Sequence, residues 1–408
     1  MKDPLEEAGL DVDRSVANRV FALVLLGLVA LFVFKPGSRT PLLLVAGIVL
    51  MVMLHEAGHL IMAKRAGMKV TEFFVGFGPR LWSFRRGETE YGVKALPLGG
   101  YVRIIGMSNL EEVDPDEDAR TFRRGSTRNR LKVILAGVTV NILIALLLFF
   151  VVIAGQGHVL NDSPSTVVSG TTDGGAAQSS GFRTGDKIIA IDGKAIHSWD
   201  DLRAAIESHA SKATSFVVER KGDRVPLTAT PQRGRDGRVL LGIIVTTGSH
   251  RVSVLEAVPE TFKSIGNVSV GVAEGFGKIF SPSGVSTYSK NFTSPAPKAG
   301  SASDVERPRS LVGIVDEGSQ IYDGNLWGIL WLLGAISLVL ALFNLLPLLP
   351  FDGGHAAVVL YEAVASKVRH RVVRVDFRKL MPMTAVVLAI FLTLGVSAMY
   401  LDIRQLGQ

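Results

Sequence analysis

Long apolar runs, rather than alternation, set the pattern of this chain. Val133–Ala154 contains no charged residue, and Leu326–Phe343 and Leu380–Leu401 are nearly as clear. Pro41–Ala63 is equally apolar except for His55, Glu56 and His59. A bilayer core about 30 Å thick takes about 20 helical residues, so each run predicts a membrane span. Val20–Phe34 is shorter, lacks an A-x-A-like site after it and leads directly into the next apolar run. It reads as a fifth membrane helix and not as a cleaved signal peptide.

The region between the spans has a different texture. Asp186-Lys-Ile-Ile-Ala-Ile-Asp-Gly-Lys predicts a strand ending in an Asp-Gly turn. Ser198-Trp-Asp-Asp-Leu-Arg-Ala-Ala-Ile-Glu predicts a helix, with Ser198 as its N-cap and Asp201 as the acidic partner. Two further strands, Ser215–Arg220 and Arg224–Thr230, flank Lys221-Gly222-Asp223. With Gly181-Phe-Arg-Thr-Gly-Asp and Ile191-Asp-Gly, this stretch resembles a PDZ domain of the bacterial protease type. That resemblance implies capture of an extended peptide by strand addition; a plain α/β filler domain is the alternative. Val258, Phe262, Ile265, Val268, Val272, Phe276 and Ile279 recur at steps of three and four, an amphipathic helix. It can lie on the membrane, pack on the PDZ-like domain or make ordinary core contacts. Ser281–Pro308, rich in Ser, Pro, Gly and Ala, reads as a flexible linker. Between the second and third spans, Glu88–Gly106 reads as two short strands around Pro97 and Gly99-Gly100. Their apolar tip can enter the membrane only if its backbone is paired or faces a wet cavity.

Composition agrees with the spans. The 408 residues are 48% hydrophobic and only 20% charged, with a mean hydropathy of +0.33. There are 44 Lys+Arg against 37 Asp+Glu. Of these basic residues, 14 lie in Lys64–Lys132 and 6 in Lys367–Lys379. Five spans place both stretches on one side, which the positive-inside rule makes cytoplasmic. The N-terminus is then cytoplasmic and Gly155–Gly324 is outside. The basic balance reflects this topology and contact with anionic lipid, and gives no reason to expect nucleic-acid binding. The chain has no cysteine, which removes disulfides, thiolate metal sites and cysteine nucleophiles but leaves the redox compartment open.

The chemistry concentrates in His55-Glu56-Ala57-Gly58-His59. On a helix the two imidazoles lie one turn apart on one face. They can share a Zn²⁺ ion, with Glu56 beside them as general base for water. Three ionisable residues in an apolar helix are costly in lipid and functional by default; a core histidine pair with an ion-paired Glu56 is the bland alternative. A catalytic zinc site needs a third protein ligand. The local candidates are Asp352 and His355 in Asn344-Leu-Leu-Pro-Leu-Leu-Pro-Phe-Asp-Gly-Gly-His, with Asp352 preferred. There the prolines interrupt the helix, and Asp-Gly-Gly looks flexible enough to turn a carboxylate inward.

With these residues the chain resembles the site-2 proteases, zinc metalloproteases that cut transmembrane helices within the membrane. The matching features are His55-Glu56-x-x-His59, Asn344…Pro347…Asp352-Gly353, and a PDZ-like insertion between two core halves. Phe74–Pro79 and Arg85–Lys94 are similar to the actinobacterial, sigma-regulating branch. The resemblance implies His55, His59 and Asp352 as zinc ligands and Glu56 as catalytic base. It implies that the Tyr91–Gly106 hairpin, through Gly99 and Gly100, aligns the substrate as a strand. Asn344 is implied to hold substrate backbone, an interhelical hydrogen bond being the alternative. Asn141 is implied more weakly: many relatives have Gly-Pro-x-x-Asn, whereas here Val138 follows Gly137.

The expected fold is an α-helical polytopic membrane protein of about five spans, with an inserted extracytoplasmic PDZ-like α/β domain and a membrane-associated β-hairpin. Residues 1–40 form a tail and extra span, and 41–155 the first protease half. Residues 156–250 form the PDZ-like domain, 251–322 the amphipathic helix and linker, and 323–408 the second half. The implied partners are the bilayer, a pre-trimmed single-span substrate such as an anti-sigma factor, and a peptide or ectodomain remnant at the PDZ-like domain. The implied location is the bacterial inner membrane. Two rivals stand beside this reading: a non-catalytic peptide-binding membrane adaptor, and a metal transporter, which would need more than one metal-binding cluster.

Overall fold

The computed structural model describes residues 14–107, 111, 113–172, 175–233, 239–293, 309–322 and 324–406. The chain divides into a discontinuous unit, Met1–Val152 with Thr261–Gln408, and an inserted unit, Ile153–Glu260. The elements begin with α1 (Arg14–Phe34), α2 (Arg39–Arg65), β1 (Val70–Arg86), β2 (Thr89–Ile104) and α3 (Thr127–Gln156). Next come β3 (His158–Thr171), the short α4 (Ala176–Ser179), β4 (Lys187–Ile191), β5 (Lys194–Ala195) and α5 (Trp199–Ser208). β6 (Thr214–Arg220), β7 (Asp223–Ala229), β8 (Gln232–Arg233), β9 (Val239–Leu240) and β10 (Ile243–Arg251) follow. The chain closes with α6 (Ala257–Ile279), α7 (Pro282–Thr293), α8 (Leu311–Ile321), α9 (Leu326–Asn344), α10 (Asp352–Val368) and α11 (Met381–Leu406).

Among the described residues, four helices are long and apolar enough to cross a membrane: Arg39–Arg65, Thr127–Gln156, Leu326–Asn344 and Met381–Arg404. α1 is helical as expected, but its apolar stretch, Ala22–Phe34, is short for a bilayer core. Its C-terminal carbonyls are capped by the next helix. Ser38 Oγ donates to Leu31 O and Lys35 O (2.8 and 2.7 Å), and Arg39 Nε donates to Phe32 O at 3.0 Å. A cation at a helix C-terminus also meets the negative end of its dipole.

The sheet of this unit is larger than the Tyr91–Gly106 hairpin expected from the sequence. β2 does not pair with itself; both of its halves pair with β1. Phe73, Phe74 and Val75 have partners on two sides: Val102 and Tyr91, Tyr101 and Gly92, Gly100 and Val93. Each strand therefore bends back, giving segments in the order 80–86, 89–96, 70–77 and 99–104. Gly76 permits the bend in β1: its φ is +89°, and a Cβ there would lie 2.8 Å from Leu96 O. Among the described residues the 99–104 segment is paired on one side only and forms an edge.

One core fixes this sheet to the helices. Leu60 and Ala63 of α2, Val70 of β1, Ile104 of β2, Val133 and Ile134 of α3, and Val359 of α10 pack together. A second cluster joins Leu44, Ile48 and Met51 of α2 to Val315 of α8 and to Ile329 and Leu333 of α9. The amphipathic α6 makes ordinary core contacts: Ile265 and Val268 pack on Ala145 and Phe149 of α3 and Leu338 of α9. The Ser281–Pro308 linker reading is corrected in its first part. Residues Pro282–Thr293 form α7, whose Tyr288 hydroxyl meets Ser397 Oγ at 2.7 Å; residues 294–308 lie outside the described residues. α8 follows just beyond that stretch, with Ser310 capping Gly313 N.

The inserted unit holds a sheet of order β10-β3-β4-β6-β7, with β5 beside β4. Its core is Val168, Phe182, Ile188, Ile191, Leu202, Ile206, Phe216 and Val218. Ser198 and Asp201 form the expected capping box of α5. Asp186 lies just before β4 and not within it. Its fully buried carboxylate takes two bonds from the Arg220 guanidinium, both 2.7 Å, and one from Arg183 N at 2.8 Å. The Arg220 guanidinium holds the Asp186 carboxyl below its ordinary value.

Candidate metal centre

α2 presents His55 and His59 from one face into the interior, each 7% exposed. Their Nε2 atoms lie 3.2 Å apart. Asp352 comes from the far end of the chain. α9 stops at Asn344, residues 345–351 turn, and α10 starts with Asp352 as its first residue. Asp352 Oδ2 lies 3.2 Å from His55 Nε2 and 3.4 Å from His59 Nε2. One ligand atom from each of the three residues falls within 4.8 Å of the others. The adjoining glycines serve close packing and not the flexibility expected of them. A Cβ on Gly353 would meet the Leu345 carbonyl carbon at 2.5 Å, and one on Gly354 would meet that of Leu348 at 2.5 Å. The backbone of the turn lies against the start of α10, and this fixes Asp352.

These atoms fit a cation. His59 Nδ1 lies 2.7 Å from Val133 O. A carbonyl only accepts, so Nδ1 carries the proton and Nε2 turns its lone pair to the cluster. Asp352 Oδ2 is buried without a hydrogen-bond partner among the described residues. A lone pair of His59 and a buried carboxylate oxygen thus share one small space with His55 Nε2. Two imidazoles and one carboxylate form a donor set that suits zinc and leaves a fourth position open.

α3 closes the back of the centre, brought close by one glycine on each helix, Gly137 of α3 and Gly58 of α2. A Cβ on Gly137 would overlap His59 Nε2 and lie 2.6 Å from both Cε1 and Nε2 of His55. A Cβ on Gly58 would lie 2.9 Å from Ala136 O. The backbones of α2 and α3 therefore touch beside His55 and His59, as small residues allow in membrane helix pairs. In front, a Cβ on Gly100 would lie 3.3 Å from Glu56 Cγ and 3.7 Å from Val52 Cγ1. The edge segment of β2 thus passes directly over Glu56.

The remaining expected residues are placed as follows. Gly99 adjoins Gly100 with φ +154°, and a Cβ there would lie 3.1 Å from Phe77. Asn141 is buried one turn beyond Gly137, and its Oδ1 has no partner among the described residues. Its main-chain carbonyl accepts from Ser337 Oγ of α9 at 2.9 Å. Asn344 ends α9, half-buried. His355, the other candidate ligand, is outside the cluster, with its ring 5.9 Å from that of Phe377.

Sequence reasoning missed the supports of this centre. Val133 and Gly137 sit in an apolar run where only helix packing gives them meaning. Glu362, on the helix of Asp352, pairs with Arg130 of α3 at 2.7 Å, both side chains nearly inaccessible. Arg374 Nη1 (3.0 Å) and Val375 N (2.8 Å) complete its shell. Burial opposes this charge, but the Val375 N–H and the guanidiniums outweigh it and hold the carboxyl below its ordinary value. These residues are 232 positions apart in the chain, so no local pattern marks them.

Comparison with known proteins adds an independent line. The profile of Peptidase family M50 matches residues 43–392. Zinc metalloprotease Rip1 of Mycobacterium tuberculosis is 36% identical over 380 residues, covering 84% of this chain and 92% of the relative. Metalloprotease MmpA of Caulobacter vibrioides is 29% identical over 348 residues, covering 78% and 84%. Membrane metalloprotease ARASP, chloroplastic, of Arabidopsis thaliana is 27% identical over 327 residues, covering 78% and 70%.

Proposed function

The chain belongs to peptidase family M50 as a multi-pass, membrane-embedded zinc metalloprotease, and on that premise we propose how its residues divide the work. His55, His59 and Asp352 hold the zinc ion. Bound zinc supplies a Lewis acid for the scissile carbonyl and makes water acidic enough to attack near neutral pH. Glu56 takes the proton of the attacking water and passes it to the leaving amine. The observation that carries this reading is the convergence of the three ligand atoms with Glu56 alongside, under the edge of β2.

A helical peptide bond hides its carbonyl, so the substrate must be unwound before cleavage. The open edge at Gly99 and Gly100 would accept it as an added strand and replace the lost backbone bonds. Asn141, whose buried Oδ1 is unpartnered among the described residues, and Asn344 would hold the substrate main chain. The substrates are pre-trimmed single-span membrane proteins such as anti-sigma factors. The inserted unit acts as a PDZ-like dock or size filter outside the cytoplasm. Counting α1 as a fifth span, the N-terminus and the basic connections lie in the cytoplasm of a bacterial cell.

The test is cleavage of a single-span substrate in liposomes by wild type and Glu56→Gln, with zinc measured on both. Loss of a general base costs about 100-fold or more. The expected result is cleavage by wild type, at least that much slower cleavage by the variant, and equal zinc. Equal cleavage by both would remove Glu56 as the base. Zinc in both with no cleavage of any single-span substrate would favour the adaptor.

A further inference from the structure

A groove of about 670 Å³ runs along the outer face of α2 and α3. Its walls are apolar and include Ile61 and Met62 of α2 and Leu135 and Val140 of α3. Thr139 turns its hydroxyl back to Leu135 O at 2.8 Å and so presents its methyl group. Its floor is the close contact of Gly58 with Ala136 O. One end is basic: Arg65, at the C-terminus of α2, faces Arg128 and Lys132, at the start of α3.

Several cations of the same connection are already committed to carboxylates. Arg120 pairs with Glu88, Arg123 and Arg124 with Asp118, Lys69 with Glu117, Arg103 with Glu72 and Arg130 with Glu362. Arg65, Arg128 and Lys132 are exposed and have no acidic partner among the described residues. A groove apolar along its length and positive at one end is complementary to an amphiphile with an anionic head and hydrocarbon tails. A soluble phosphate would leave the apolar walls unused.

We propose that this groove is a binding site for one anionic glycerophospholipid, its phosphate among Arg65, Arg128 and Lys132 and an acyl chain along Ile61, Leu135 and Val140. Basic pockets between membrane helices recognise lipid head groups in this way. The lipid would brace the Gly58–Ala136 contact from behind, one residue away from Gly137 and the imidazoles it touches.

The experiment uses the full chain, purified and equilibrated with mixed phosphatidylglycerol and phosphatidylcholine, then examined by native mass spectrometry. Wild type should retain one phosphatidylglycerol in preference to phosphatidylcholine. The triple variant Arg65→Gln, Arg128→Gln, Lys132→Gln should lose that preference by roughly 100-fold, each charge near an anionic surface being worth about a factor of five. The control triple Lys367→Gln, Arg369→Gln, Arg371→Gln changes the same number of exposed cations away from the groove and should retain the lipid. Equal retention by both triples would overturn the proposal, as would competition by glycerol phosphate alone. A photo-crosslinker at Ile61 should capture phospholipid in membranes; capture of a substrate helix instead would reassign the groove.

Discussion

His59 donates its Nδ1 proton to the carbonyl of Val133, 2.7 Å away on the neighbouring helix. This bond sets the tautomer, and it works only because Gly137, one turn further along α3, has no side chain to displace the imidazoles. Outer partners of metal-bound histidines commonly change metal affinity by 10- to 100-fold. Gly137→Ala inserts a methyl group onto both Nε2 atoms and should weaken zinc binding by about 100-fold or more. Zinc competition against a chelator, on protein whose helical content matches wild type, checks this. Undiminished affinity would mean that α3 is not held against the ligands.

Gly100 offers the contrasting case. It faces Glu56 and Val52 rather than the ligands. Gly100→Val should therefore lower cleavage by about 100-fold, the scale of a general-base contribution, while zinc content stays at the wild-type level. Parallel measurement of turnover and bound zinc separates this outcome from that at Gly137. Zinc loss together with activity would show that the edge segment supports the ligands as well.

Glu362 predicts a stability effect at a distance from the chemistry. Removing one partner of a buried ion pair costs about 3–5 kcal/mol. Glu362→Gln should lower the melting temperature of the detergent-solubilised protein accordingly. Arg374, whose side chain is 48% exposed, should matter less, by about 1 kcal/mol or under. Thermal melts of the two variants side by side decide the order.

The inserted unit carries a pH-dependent element. Arg220 holds the folded Asp186 carboxyl below its ordinary value. Folding therefore gains from this group fully above the unfolded value, near 4. The gain is lost as pH falls toward the folded value, because the unfolded chain binds the proton first. At neutral pH Asp186→Asn should destabilise β4 by about 3 kcal/mol. Hydrogen exchange of Lys187–Ile191, corrected for intrinsic rates, should differ between variant and wild type at pH 7, begin to converge as pH falls below about 4, and meet only below the depressed folded value. A difference that persists in acid would point to lost packing and not to charge.

The legible parts of the molecule were those with a short repeat. The spacing of His55 and His59 is that of one helical turn, and the Ser198–Asp201 cap spans three residues, so both could be read locally. Asp352 was marked by its broken helix, although its glycines act through contact with the preceding turn rather than through flexibility. β1 escaped because Gly76, Gly78 and Pro79 interrupt its alternation where the strand bends, and its partners lie on both sides. The helix at Pro282 is hidden by the Ser-rich composition around it. The Arg130–Glu362 pair exists only once the two protease halves meet.

The contact between Gly58 and Ala136 makes the crossing of α2 and α3 a fulcrum. If the two helices rock about that point, displacement grows with distance along each axis. His55 and His59 lie within about one 5.4 Å turn of the pivot, whereas Arg39 lies about 28 Å away at 1.5 Å per residue. A tilt of about 5° would move the far end of α2 by about 2.5 Å and the ligands by about 0.5 Å or less. Such a tilt would let the protein follow a bilayer of varying thickness, or admit a substrate between its helices, with its reactive centre nearly at rest.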